Sequence, residues 1–189
     1  MKNKFLSLLG EVKRPGMDQL INWLTKSDFF KAPASNRYHG AVEAGLLEHS
    51  LAVHKNLDRI IKSSIFDMDA TIKSDSVIIT SLLHDVCKAN FYTVSQRNAK
   101  NEETGKWEKV DYYTIEDKFP YGHGEKSVYI INEFIHLSVE EAMAIRWHMG
   151  AWSASGYADQ QALSGAMEKY PLILALQTAD QAATFWDKK

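Results

Sequence analysis

A chain of 189 residues with 22 basic against 24 acidic side chains carries a net charge of −2. That balance excludes a broad, sequence-independent nucleic-acid surface. With 45% hydrophobic residues and one cysteine, Cys87, the composition is that of a single globular domain with no internal disulfide and no cysteine-rich zinc site.

No apolar run approaches the roughly 20 residues of a membrane span, and the apolar stretch after Met1 is too short for a signal peptide. The expectation is a cytoplasmic protein without a membrane partner. No internal repeat or low-complexity segment divides the chain. It is read as one domain over 1–189, with N-terminal helices and a loop over 1–37 and a helical core over 38–186.

Phe5, Leu6, Leu8, Leu9 and Val12 predict a short first helix, ended by Lys13-Arg14-Pro15-Gly16. Met17, Leu20, Ile21 and Leu24 recur at helical spacing and predict a second. Residues 27–37 read as a loop, with Pro33, Ser35 and Asn36 as turn formers, which delivers Tyr38-His39-Gly40. Gly45 to Ser63 is a long amphipathic helix with His49 on its apolar side. Gly40 and Gly45 flank its start, where backbone is expected to approach a ligand closely.

The next helix, Val77 to Lys88, is apolar almost throughout, with Ser74, Asp75 and Ser76 at its N-cap. It ends in Leu82-Leu83-His84-Asp85-Val86-Cys87-Lys88. On a helix His84 and Asp85 lie about 100° apart, and Lys88 follows on the same face at i+4 and i+3. A buried imidazole, carboxylate and ammonium need partners, because bare buried charge is costly. A metal ion and an anionic ligand satisfy all three.

Residues 91–117 change character. Phe91, Tyr92, Thr93 and Val94, then Trp107, Val110, Tyr112, Tyr113 and Thr114, are strand formers around a polar turn with Gly105. They predict a β-hairpin inserted in a helical domain. Gly122-His123-Gly124-Glu125-Lys126-Ser127 opens the next helix. Ser138-Val139-Glu140-Glu141 has the pattern of a capping box for a helix through His148, stopped by Gly150. Ala151 to Gly165 reads as loop and short helix, and Pro171 as the first residue of a last helix that carries Asp180. The fold class expected is an all-α bundle with one hairpin over about 91–117.

The ordered set His49, His84-Asp85, His123, His148, Asp180 lies on separate elements. With its surroundings it resembles the HD-domain metal-dependent phosphohydrolase superfamily. The carrying segments are Gly45-Leu46-Leu47-Glu48-His49-Ser50, Leu83-His84-Asp85, Gly122-His123-Gly124-Glu125-Lys126-Ser127, Arg146-Trp147-His148-Met149-Gly150 and Thr178-Ala179-Asp180. They span most of the chain, from Tyr38 to Asp180.

The resemblance implies a primary metal site of His49, His84, Asp85 and Asp180. His123 and His148 complete a second site, with Asp85 as the bridge. It implies a divalent transition metal, two per chain, from Mn, Fe, Co, Ni or Zn. Lys88 looks like the lysine that clamps phosphate charge after the His-Asp pair. Catalysis is therefore assigned to Asp85 and Lys88. Arg37, His39 and Lys126 are the candidate phosphate contacts, and Phe91, Tyr92, Tyr112 and Tyr113 are candidate walls of a nucleoside pocket.

Trp147 and Met149 around His148 depart from the cyclic-dinucleotide branch. The Tyr38 to His49 entry looks like the HD domains fused to oligonucleotide-binding modules in a bacterial 3′→5′ exoribonuclease, and no such module is present. The expected function is hydrolysis of a nucleotide or other small phosphoester by a metal-activated water. Nucleic acid is the less favoured substrate, and a homo-oligomer stays open. The alternatives are a di-iron oxygenase with the same ligand set and a non-catalytic nucleotide-binding module.

Overall fold

The helical periods of the sequence become eight α-helices among the residues described by the computed structural model, which are 1–37, 40–63 and 71–187. In chain order these are α1 (Lys2–Glu11), α2 (Met17–Lys26), α3 (Gly45–Lys62), α4 (Ser74–Leu83), α5 (His123–Asn132), α6 (Val139–Trp147), α7 (Tyr157–Lys169) and α8 (Pro171–Phe185). Between α4 and α5 stand β1 (Tyr92–Lys100) and β2 (Trp107–Ile115), paired antiparallel from Tyr92↔Ile115 to Lys100↔Trp107.

The all-α expectation is corrected by that pair. Each strand is nine residues long and fully in register, so the chain is a helix-rich fold with a two-stranded antiparallel sheet. The reason is local, since Tyr92 to Val94 and Val110 to Ile115 are dominated by β-branched and aromatic side chains, which prefer extended backbone. No helix among the described residues is long and apolar enough to cross a membrane.

Two further boundaries differ. The core helix stops at Leu83, and Val86–Lys88 forms a 3-10 turn, so His84 and Asp85 sit at a helix end rather than within a helix. Residues 157–169 form the full helix α7, although only Leu163 and Ala166 of it are buried. So thin an apolar stripe gives little periodicity to read.

Packing runs through α3. Its first turns carry Leu46 and Leu47 into a core with Phe5, Leu9, Leu20, Leu24, Phe29 and the α4 residues Ile79, Leu82 and Leu83. Its later turns carry Val53, Leu57 and Ile61 into a second core with Leu172, Ile173, Leu176 and Ala179 of α8. The N-terminal helices thus share a core with α3 and α4. Gly45 makes a close approach, but to protein backbone. A Cβ there would lie 2.9 Å from the Gly40 carbonyl carbon and 3.1 Å from the Ala34 nitrogen.

The capping box of α6 forms as its sequence predicts. Glu141 N donates to Ser138 Oγ at 3.2 Å, and Ser138 N donates to Glu141 Oε2 at 2.8 Å. The same buried carboxylate accepts both guanidinium arms of Arg14, at 2.7 and 2.6 Å, and the Ser76 hydroxyl at 2.6 Å. It therefore ties the α1–α2 turn, α4 and α6 together.

Burial pushes the Glu141 carboxyl up, but Arg14, Ser76 and the Ser138 amide outweigh it and hold it below its ordinary value of 4.5. Its stabilisation is complete above that value and is lost as pH falls through the lower folded one. Glu141→Ala is expected to cost about 3 kcal/mol at pH 7, because it strands Arg14. Urea unfolding at pH 7 and at progressively lower pH checks this, and the gap to wild type should narrow below pH 4.5.

Candidate metal centre

Five elements deliver the polar cluster. His49 comes from α3, His84 and Asp85 from the end of α4, His123 from the first residue of α5, His148 from the end of α6 and Asp180 from α8. His49, His84, Asp85 and His148 are each at most 3% exposed. Asp85 lies at the centre, with each carboxylate oxygen facing a different group. Oδ2 is 3.8 Å from His49 Nε2 and 3.5 Å from His84 Nε2. Oδ1 is 2.7 Å from His123 Nε2 and 3.5 Å from His148 Nε2. Asp180 joins the first group, with Oδ1 3.0 Å from His49 Nε2, and the His49 and His84 Nε2 atoms are 3.3 Å apart.

The backbone orients two of these imidazoles. His84 Nδ1 donates to the Ser81 carbonyl at 2.9 Å, and His148 Nδ1 donates to the Ile145 carbonyl at 2.7 Å. Each bond runs three residues back, which is the geometry a helix end offers a side chain. It settles the tautomer, so that the Nε2 of the neutral ring presents a lone pair to the cluster. Burial pushes His84 down to about 4, so it is neutral at ordinary pH. The Nε2 of His148 is buried and has no hydrogen-bond partner among the described residues. An orphaned acceptor beside a carboxylate is what a cation would satisfy.

The other groups are charged. Burial pushes Asp85 up, but Lys88, His84 and His123 outweigh it and hold it well below the carboxylate range. Burial likewise opposes the charge of Lys88, yet Asp85, 2.6 Å away through Oδ2, raises it above its usual value. His123 donates to Asp85 and meets Cys87 Sγ at 3.3 Å through Nδ1. Burial opposes its charge too, but the Cys87 sulfur and the Asp85 carboxylate raise it to about 10. A metal taking that nitrogen must therefore displace a proton.

Donor atoms of His49, His84 and Asp85 lie within 4.8 Å of one another, as do those of His84, His148 and Asp180 and those of Asp85, His123 and His148. These buried groups could hold a metal ion, and imidazole with carboxylate suits the divalent transition metals.

The cluster opens into a cleft of about 900 Å³. Lys88, Phe91 and Tyr92 line it, with Ile115 from the end of β2. Tyr112 and Tyr113 do not line it, although Tyr113 packs edge-on against Tyr92 at 6.4 Å.

The expected phosphate contacts fare differently. His39 falls outside the described residues. Arg37 is exposed and not in the cleft wall, whereas its neighbours Ser35 and Asn36 are. Lys126 is 7% exposed, pairs with Asp117 and lies 4.7 Å over the Phe91 ring. It pins the hairpin base to α5 and is not part of the cleft wall. Arg146 pairs with Glu125 and stacks 3.8 Å over Trp147. His54 is half-buried, with Nδ1 3.0 Å from Ser81 Oγ.

Sequence reasoning missed Glu125, Met149, Trp152, Gln181 and Phe185, which also line the cleft. Each lies within five residues of a ligand, and that proximity was the only available signal. Compared with protein-family models, with curated proteins and with solved structures, the chain matches none.

Proposed function

We propose that the chain is a metal-dependent phosphohydrolase, acting on a nucleotide or other small phosphoester and similar in plan to the HD-domain superfamily. The observation that carries this reading is Asp85. Its two oxygens face two separate sets of nitrogen donors, His49 and His84 on one side and His123 and His148 on the other. A carboxylate so divided suits two ions better than one. His49, His84, Asp85 and Asp180 would hold the first ion; Asp85, His123 and His148 would hold the second. Bound there, divalent ions supply Lewis acidity toward a phosphoryl oxygen and lower the pKa of a water.

The chain's own groups do the rest. Lys88 is the one lysine or arginine among the described residues of the cleft wall, and its side chain is 14% exposed. Its ammonium is held charged beside Asp85, where it can meet a phosphate and offset charge that grows in the transition state. The carbonyl bonds to His84 and His148 keep both donors aimed without rearrangement.

The test is metal content and phosphate release on one sample of anaerobically purified full-length chain. Nucleoside phosphates, cyclic nucleotides and a generic phosphodiester would be offered with Mn, Fe, Co, Ni, Zn and Mg. Metal-dependent phosphate release is expected, and Lys88→Met should keep its metal while losing about 10²-fold in kcat. Tightly bound metal with no release from any phosphoester would overturn the reading, and oxygen uptake by an iron-loaded sample would replace it with the oxygenase.

A further inference from the structure

The cleft is chemically lopsided. Its polar end is the buried ligand cluster with Lys88. Most of its remaining wall surface is apolar, and its large side chains come from three separate parts of the chain: Phe91 and Tyr92 at the base of β1, Met149 and Trp152 after α6, and Phe185 at the end of α8. Trp152 is 87% exposed and Phe185 69% exposed, so the aromatic groups stand at the wet mouth and the ligands at the floor. Large aromatic faces left in water beside a site commonly mark a surface that a partner or ligand covers. A wholly hydrophilic substrate, such as a sugar phosphate, makes no use of them.

Charge narrows the choice further. Lys88 is the single lysine or arginine of the wall among the described residues; Asp85 and Asp180 belong to the ligand cluster, and Glu125 is already paired with Arg146. One phosphoryl group meets Lys88 and the ligand cluster. A triphosphate would set two more anionic groups against a mostly apolar wall that offers no second lysine or arginine among the described residues.

We infer that the substrate is a phosphomonoester with one phosphoryl group on a flat aromatic moiety, a nucleoside monophosphate in kind, whose base stacks on Trp152 and the Phe91–Tyr92 wall. The inference rests on the proposed phosphohydrolase reading and adds its specificity. In the step itself, water supplies the oxygen that ends on phosphate and the proton that ends on the alcohol. The P–O ester bond breaks with no change of oxidation state. Base stacking is sequence-tolerant because every base has a π face, so Trp152 selects for a base without selecting which.

The test pairs turnover with binding. The metal-loaded full-length protein would be assayed with adenosine 5′-monophosphate, adenosine 5′-triphosphate, ribose 5-phosphate and phenyl phosphate. Quenching of tryptophan fluorescence by adenosine 5′-monophosphate would be measured in the same preparation and in Trp152→Ala. The monophosphate should exceed ribose 5-phosphate by about tenfold or more in kcat/KM, the scale of one stacked base. Trp152→Ala should raise its KM about tenfold and remove most of the quench. Trp107→Ala, on the exposed far end of the hairpin, should change neither.

Equal turnover of ribose 5-phosphate, preference for the triphosphate, or an unmoved KM in Trp152→Ala would overturn the inference and leave the hydrolase standing. Saturable quenching lost in Trp152→Ala, with no phosphate released from any compound, would keep the base site and overturn the hydrolase. Neither binding nor turnover would overturn both.

Discussion

The Asp85→Asn protein is expected to lose both metal ions together and to fall at least about 10³-fold in phosphate release. Asp85 reaches all four histidine donors, His49 and His84 with one oxygen and His123 and His148 with the other. An amide keeps the shape of the side chain but carries no charge and only one acceptor oxygen. It can therefore serve at most one side of the cluster, and weakly. Elemental analysis reads the result directly.

The substitution also strands Lys88, whose ammonium sits 2.6 Å from Asp85 Oδ2. Removing one partner of a buried ion pair costs about 3–5 kcal/mol. The double variant Asp85→Asn with Lys88→Met should recover much of that stability and none of the metal, which separates folding from ligation. Retention of one full equivalent by the Asp85→Asn protein would mean that the two donor sets do not share this carboxylate.

Gly124→Ala is expected to damage one half of the site selectively. Gly124 lies on α5 beside His123, where α5 crosses α6. An added Cβ would stand 2.8 Å from both the Cα and the carbonyl carbon of Arg146, and closer still to its oxygen. Those atoms are helix backbone and cannot swing aside, so α5 must move off α6. Overpacking of this kind costs about 1–3 kcal/mol.

The functional effect is sharper than the loss of stability. His123 rides on α5 and His148 ends α6, and both address the same oxygen of Asp85. Donor positions tolerate only about 0.5 Å of error. The second ion should bind about 10- to 100-fold more weakly, a loss of the size seen when a ligand's support is removed. His49, His84 and Asp180, on α3, the end of α4 and α8, should keep the first ion. A metal titration of Gly124→Ala should thus show one tight equivalent and one weakened, where wild type shows two. Loss of both ions in step would argue for a single indivisible centre.

Much of this was legible before any coordinates. A histidine on an apolar helical face, a His-Asp pair closing a buried helix, and an aspartate inside an apolar last helix are each anomalous for a core. These four residues, with His123 and His148 added by the family resemblance, made up the candidate ligand set. The capping box at Ser138 and Glu141 and the proline opening α8 were also readable, because each is a contact between near neighbours in sequence. The two strands were visible in their β-branched and aromatic runs, although their length and full register were not. Helix α7 escaped because it buries only two of its residues, and the end of α4 at Leu83 escaped because apolar character continues through Val86 and Cys87.

Residue type, helical spacing and the family resemblance therefore singled out the candidate donors. Three things were decided only by the tertiary structure. Asp85 divides its oxygens between two donor sets, Lys126 spends its charge on Asp117 rather than in the cleft, and aromatic side chains from three distant segments line one cavity. The first and third depend on the distance between elements tens of residues apart, set by how α3, α5, α6 and α8 pack, and the second on how the chain runs from the hairpin base into α5. A local pattern can require a partner for a buried group, but only the packing of elements selects which partner stands there.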